Sequence, residues 1–352
     1  MGFPLTGRWR CRWSVPCSTV ESWANALISV SDYERAGENR RSLARQVQRG
    51  VLVRVRPGIY APAREWRDLT WWDQYRLKVE AVAQGPASDR VFSRQSAASV
   101  WGIPFFGAKN HVHVQVGRST HGRLSAGVQS HRDLELESPV KRKKLWVTTR
   151  AQTVIELALS VPFPHAVAAA DHVLNADSEE SLEPISKNEI MAIAERLNSK
   201  AKFDRASNVI RFADVRSDSP GESVSRANMY LEGFGQPELQ YRVEDDDGSL
   251  IGISDFYWEE LRLLGEYDGL TKYSRNEYLQ GKLPPDVLTA EKIREDAMRM
   301  TGRGMVGGCG PPCGEPDLMR HPFFRRSFGQ QGWQRISGNT SGPQDRSGAR
   351  TF

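Results

Sequence analysis

The sequence predicts an α/β protein of the α+β kind, and three observations carry that expectation. Segments with apolar residues at helical spacing are interspersed with short runs of period two. The 352 residues suffice for two or more cores. In two successive runs, LIGISDFYW and LLGEYD, Ile251, Ile253 and Asp255 and then Leu264, Glu266 and Asp268 alternate, as paired strands with one functional face would. Hydrophobic residues make up 39% of the chain, and the mean hydropathy is -0.53. No apolar run is long enough to span a bilayer, and the basic start MGFPLTGRWRCRWSVPC lacks an apolar signal core. The expected setting is therefore the cytoplasm, with no membrane partner.

Residues 1–18 read as a disordered leader, and 19–63 as the first domain. Val20 to Val30 forms the expected first helix, with Trp23, Leu27 and Ile28 as its stripe. After a polar turn at Gly37 and Asn39, RRSLARQVQRG reads as a basic helix. Its Leu43 and Val47 are four apart, and Gly50 stops it. VLVRVRPGIYAP then reads as strand, Pro-Gly turn and strand. Helix, basic helix and hairpin in that order predict a winged helix-turn-helix. From Arg35 to Gly58, seven arginines face one acid, Glu38, a local charge of +6 against +5 for the whole chain. Arg40, Arg41, Arg45 and Arg49 on the helix, with Arg54 and Arg56 on the wing, are the candidate contacts to duplex DNA.

Residues 64–200 form the expected central α+β region. WRDLTWWDQYRLKVEAVAQ, residues 66–84, predicts one helix whose aromatics are core. FSRQSAASVWG is a short helix closed by Gly102. Asn110 to Val116 alternates as a strand, 118–123 is a polar loop, and Leu145 to Thr148 is a strand before the helix Thr153 to Leu159. Val167 to Leu174 and Lys187 to Leu197 add helices. His111, His113, His121 and His131 have no acid or cysteine at ligand spacing and read as satisfied or solvent-facing. Cys309 and Cys313 have zinc-like spacing without a packed context, and the four cysteines imply no disulfide scaffold.

Residues 214–300 form the expected third domain. Ser219, Pro220 and Glu222 mark a helix start, which gives Glu222 a capping role beside any other. Gln240 to Glu244 and the two acid-bearing runs predict three antiparallel strands. Asp255, Glu266 and Asp268 would then supply hard oxygens suited to Mg²⁺. From Thr301 to Phe352, 52 residues hold 11 of the 30 glycines and read as a disordered tail. A shifted reading frame after Arg303 would produce so abrupt a change of composition.

Two resemblances attach to these motifs. Pro220-Gly-Glu222-Ser223, Asp255-Phe256 and Glu266-Tyr-Asp268-Gly269 resemble the endonuclease-like domain of very-short-patch repair enzymes, in the PD-(D/E)XK superfamily. VLVRVRPGIYAP and FSRQSAASVWGIP resemble AbiEi-like antitoxins of type IV toxin-antitoxin systems. The first resemblance implies a restriction-endonuclease-like sheet with flanking helices. Asp255, Glu266 and Asp268 would be metal ligands, Glu222 an assistant, and phosphodiester hydrolysis the reaction. Asp268 stands where that superfamily carries its lysine, so Lys272 or Lys292 would have to compensate. The second implies a DNA-binding regulator with a cognate toxin. Two functions stay open: a DNA-binding, antitoxin-like regulator whose nuclease-like domain is degenerate, or a Mg²⁺-dependent endonuclease targeted by the winged helix.

Overall fold

The computed structural model describes residues 27–309 apart from 86–89, 108–110, 118–123, 133, 135, 179 and 269–283. The fold is mixed α/β, with three sheets among the described residues, and the chain divides into two compact units at Pro220/Gly221. The leader, the 118–123 loop and everything beyond 309 lie outside the described residues.

The first sheet belongs to the winged region. Its order is β1 (Ile28–Ser29), β3 (Ile59–Pro62), β2 (Leu52–Arg56), all antiparallel. Residues 20–26 of the expected helix Val20 to Val30 lie outside the described residues, and its end is corrected: Ile28 and Ser29 pair with Tyr60 and Ile59, and helix α1 is Val30–Arg35. Ser29 sets that start, because its Oγ accepts the Asp32 N–H at 3.0 Å. Helix α2 is Arg40–Gln48, capped by Asn39, whose Oδ1 accepts the Arg41 N–H at 2.8 Å. Gly50, at φ +71°, ends it as its position in the sequence predicts.

The helix expected over 66–84 is two, α3 (Ala63–Asp68) and α4 (Trp71–Ala83). Thr70 breaks the run by capping the second, its Oγ1 donating to Asp73 Oδ2 at 2.6 Å and accepting the Asp73 N–H at 3.3 Å. Ile59 and Ala61 of the wing bury against Ala81 of α4, with Leu27, Val53, Val55 and Trp66 around them.

The central sheet has six strands in the order β6-β7-β5-β4-β9-β8. These are β4 (Val91–Phe92), β5 (Val112–Val116), β6 (Leu124–Ser125), β7 (Val128–Arg132), β8 (Val140–Arg142) and β9 (Leu145–Val147). Five helices accompany it: α5 (Arg94–Trp101), α6 (Arg150–Ser160), α7 (Phe163–Val173), α8 (Lys187–Ala194) and α9 (Lys200–Phe212). Gly102, at φ +80°, closes α5. Helix α9 has no counterpart in the sequence reading, which ends its last central helix at Leu197.

The second unit is a four-stranded sheet, β10 (Glu238–Glu244), β11 (Leu250–Trp258), β12 (Leu263–Asp268) and β13 (Gly304–Cys309), in that order. Helix α10 (Pro220–Leu231) buries Met229 with Leu239, Phe256 and Trp258 on one face. Helix α11 (Pro284–Met300) buries Met298 with Val243, Tyr257 and Leu264 on the other. Leu239 and Tyr241, two residues apart, belong to opposite clusters. The strand turns over at Gln240, whose φ is +53°. Strand β13 corrects the expectation that order ends near Met300: Gly304 to Cys309 pair in parallel with Leu263 to Asp268.

Candidate functional site

The winged region is assembled before any charge is considered. Leu43 is fully buried, and burying a leucine contributes about 2 kcal/mol. The Tyr33 hydroxyl lies 2.8 Å from Ser42 Oγ and accepts Gln46 Nε2 at 2.9 Å, tying α1 to α2. With 3.6 residues per turn, Arg41 and Arg45 fall on the side of α2 opposite Leu43. Arg40, Arg41, Arg45, Arg49 and Arg54 are exposed, and none has a carboxylate partner among the described residues. Arg35 differs, since its Nη1 lies 2.8 Å from Asp32 Oδ1.

Arg56 leaves the set of candidate contacts. It is half-buried, and its Nη1 donates to the Ala81 carbonyl at 3.1 Å, anchoring the wing to α4. Burial, then the neighbouring Arg90, lowers its pKa. Alternation on β2 is interrupted between Arg54 and Arg56, where the register with β3 shifts. That shift is why two arginines at i and i+2 end on different surroundings.

In the second unit, backbone pairing between β11 and β12 runs from Trp258↔Leu263 to Phe256↔Gly265 and stops. Side chains continue it: Ser254 Oγ donates to the Gly265 carbonyl at 2.9 Å, and the Tyr267 N–H donates to Asp255 Oδ2 at 2.7 Å. The next acid, Glu266, meets Arg294 of α11. Nη2 donates to Oε2 at 2.9 Å, and Nη1 lies 2.9 Å from Oε1. Glu222, on α10, is buried and accepts Gln240 Nε2 at 3.2 Å. Gly221 beside it is required by contact: a Cβ there would stand 2.2 Å from the Tyr267 ring.

Asp255, Glu266 and Glu222 thus sit in one unit, but each faces donors of its own chain. Among the described residues, no three acids, histidines or cysteines come together as a metal-ligand set. The Tyr267 N–H on Asp255 Oδ2 and the Arg294 guanidinium on Glu266 would share these carboxylates with any ion held there. Lys292 is paired along its own helix, its Nζ 3.3 Å from Asp296 and 3.8 Å from Glu295. Lys272 and the Asp268 side chain lie outside the described residues. Sequence reasoning missed Arg294 and Gln240. Arg294 is 28 residues from its partner with no local signal, and the left-handed backbone of a non-glycine residue is invisible in a strand pattern.

The central region holds a second polar centre. Glu156 is buried, and its carboxylate accepts the Arg94 N–H at 2.8 Å, Gln115 Nε2 at 3.0 Å and Gln152 Nε2 at 3.0 Å. Burial raises its pKa against those hydrogen bonds and the Arg94 charge. His113 Nδ1 and His131 Nε2 are 2.8 Å apart. Burial holds His113 at about 3, with His131, Arg94 and His111 adding to the effect. Burial, then Arg94, holds His131 at about 4. Two neutral imidazoles sharing one hydrogen bond fit the reading of satisfied histidines.

The fold is therefore that of an α+β protein with a basic winged region and a separate sheet unit. No family model matches the chain. It is 28% identical over 232 residues to two relatives from Mycobacterium tuberculosis, uncharacterized protein MT2308 of strain CDC 1551 / Oshkosh and uncharacterized protein Rv2248 of strain ATCC 25618 / H37Rv. Each match covers 66% of this chain and 79% of the relative. The crystal structure of the RV2827C protein from Mycobacterium tuberculosis covers 63% of this chain and 82% of its own, with TM-score 0.34 and 17% identity. Among the described residues, no helix is long and apolar enough to cross a membrane.

Proposed function

We propose that the protein is a DNA-binding, antitoxin-like regulator that grips duplex DNA with α2 and its wing, and that its nuclease-like unit is degenerate. The observation carrying the DNA reading is the set of five exposed arginines, Arg40, Arg41, Arg45, Arg49 and Arg54, without carboxylate partners among the described residues. They stand on a capped helix and a hairpin that are both fixed from behind. Guanidinium groups in that state exchange counterions with phosphates at little structural cost. The test is equilibrium binding to duplex DNA across a salt series, with Arg40, Arg41 and Arg45 replaced together by alanine. Unchanged binding by the folded variant overturns the proposal.

The endonuclease reading keeps one observation in its favour: Asp255 and Glu266 stand on neighbouring strands at the point where their ladder opens. Against it are the guanidinium on Glu266 and the aspartate at the lysine position. Incubation of supercoiled DNA with Mg²⁺ or Mn²⁺ separates the two. Nicking that disappears in both Asp255→Ala and Glu266→Ala would establish the nuclease and displace the regulator reading of this unit.

A further inference from the structure

Beside Glu156 the first unit carries a half-open cleft of about 360 Å³, distinct from the arginine face of the wing and from the acid-bearing sheet. Strand β5, the start of α5, β7, α6 and α9 supply its walls. Four cations, Arg94, Arg132, Lys202 and Arg205, line it with one carboxylate, Glu156. Glu156 is already held by three N–H donors, so its oxygens are turned to its own scaffold. Arg205 is likewise pinned, its Nε and Nη2 donating to the carbonyls of Ala158 and Val161 at 2.9 and 3.1 Å.

Three side-chain groups of the lining have no hydrogen-bond partner among the described residues. Ser93 is 1% exposed, and its Oγ has no hydrogen-bond partner. It is the N-cap residue of α5, yet its side chain does not cap the helix. Arg94 follows it at φ +51°, a left-handed conformation in a non-glycine residue, held by the bond from its N–H to Glu156. Among the described residues, no acceptor hydrogen-bonds the Arg94 guanidinium, and no carboxylate pairs with the exposed Lys202. A buried hydroxyl and two cations without hydrogen-bonded acceptors among the described residues form, around one opening, a cradle for tetrahedral oxygens, placed at the positive end of an eight-residue helix.

We infer that this cleft binds a small phosphorylated compound, with the phosphate held by Ser93, Arg94 and Lys202 and the remaining volume taken by an uncharged, sugar-sized body. A volume of about 360 Å³ exceeds what phosphate alone fills and lies at the small end of ligand pockets. The arrangement ties the ligand to the backbone of the central sheet through Arg94 and Glu156.

Calorimetric titration of the full chain with inorganic phosphate, ribose 5-phosphate and ribose tests the inference. Ribose 5-phosphate is expected to bind, inorganic phosphate to compete with it more weakly, and ribose to give no signal. Lys202→Gln, an exposed change that leaves packing intact, is expected to weaken ribose 5-phosphate binding at least tenfold, and Ser93→Ala to weaken it further when combined. Absence of binding by any phosphate, equal binding of ribose, or an affinity untouched by Lys202→Gln in the folded protein overturns the inference. The α2 arginines are unaltered in every variant, so the outcome is independent of DNA binding.

Discussion

Replacing Arg40, Arg41 and Arg45 together by alanine gives the sharpest test of the DNA reading, because its magnitude follows from the structure. Five arginines on α2 and the wing are exposed and without carboxylate partners among the described residues. If each neutralises one phosphate, the slope of log K against log salt is about -4.5, at roughly 0.9 per contact. The affinity should then fall roughly 500-fold between 50 and 200 mM salt. Removing three leaves Arg49 and Arg54, a slope of about -1.8, and a loss of only about 12-fold over the same range. Fluorescence anisotropy of a labelled duplex at four or more salt concentrations reads both slopes. Circular dichroism checks that the variant keeps its helices, which it should, since Leu43 and the Asn39 cap are untouched. Equal slopes for the two proteins would refute the assignment of these arginines to phosphate. The wing supplies an internal control. Arg54→Ala should flatten the slope by about 0.9, whereas Arg56→Ala should leave it unaltered and cost about 1–2 kcal/mol of stability through the lost bond to Ala81.

Glu156→Ala strands three donors in a buried site and is expected to cost about 3 kcal/mol in chemical denaturation, with Glu156→Gln costing less. Gly221→Ala should destabilise the second unit by about 1–3 kcal/mol, since the added methyl meets the Tyr267 ring, and near-ultraviolet dichroism should register the displaced tyrosine. His113 at about 3 and His131 at about 4 lie below their ordinary 6.5, so the unfolded chain takes up protons first. Their contribution is complete above about pH 6.5 and declines as pH falls, towards 4 for His131 and towards 3 for His113, by at most about 1.4 kcal/mol per pH unit for each. Denaturant midpoints that rise on acidification through that window would contradict the burial of the pair.

Elements whose pattern is local were legible in the sequence. Helix α2 is announced by Leu43 and Val47 with Gly50 behind them, and the wing by Pro57-Gly58 between two β-rich runs. Strands β11 and β12 follow the alternation that placed the acids on them. Helix α9 was not legible, because its buried face is built partly from Ala206 and Ser207, which do not stand out as apolar. Strand β13 was hidden by its glycines: a parallel ladder needs backbone groups, and composition records only side chains. The carboxylates were found, but not their circumstances. Arg294 reaches Glu266 from another element, and the bulge that withdraws Arg56 depends on the register of two strands. Chemistry carried by residue type can be read along a chain, while its neutralisation by a distant partner needs the third dimension.

Strand β13 also gives the two units different schedules during synthesis. Each strand of the central sheet finds its neighbours within residues 91–147, so that sheet can close while the ribosome is still making the later helices and the second unit. The second sheet has no such freedom, for the edge of β12 stays open until the whole of α11 has emerged and Gly304 to Cys309 can swing back beside it. A nascent chain paused within α11 carries six residues of β12 with one side unmet, the form in which a sheet is most receptive to a strand from another molecule.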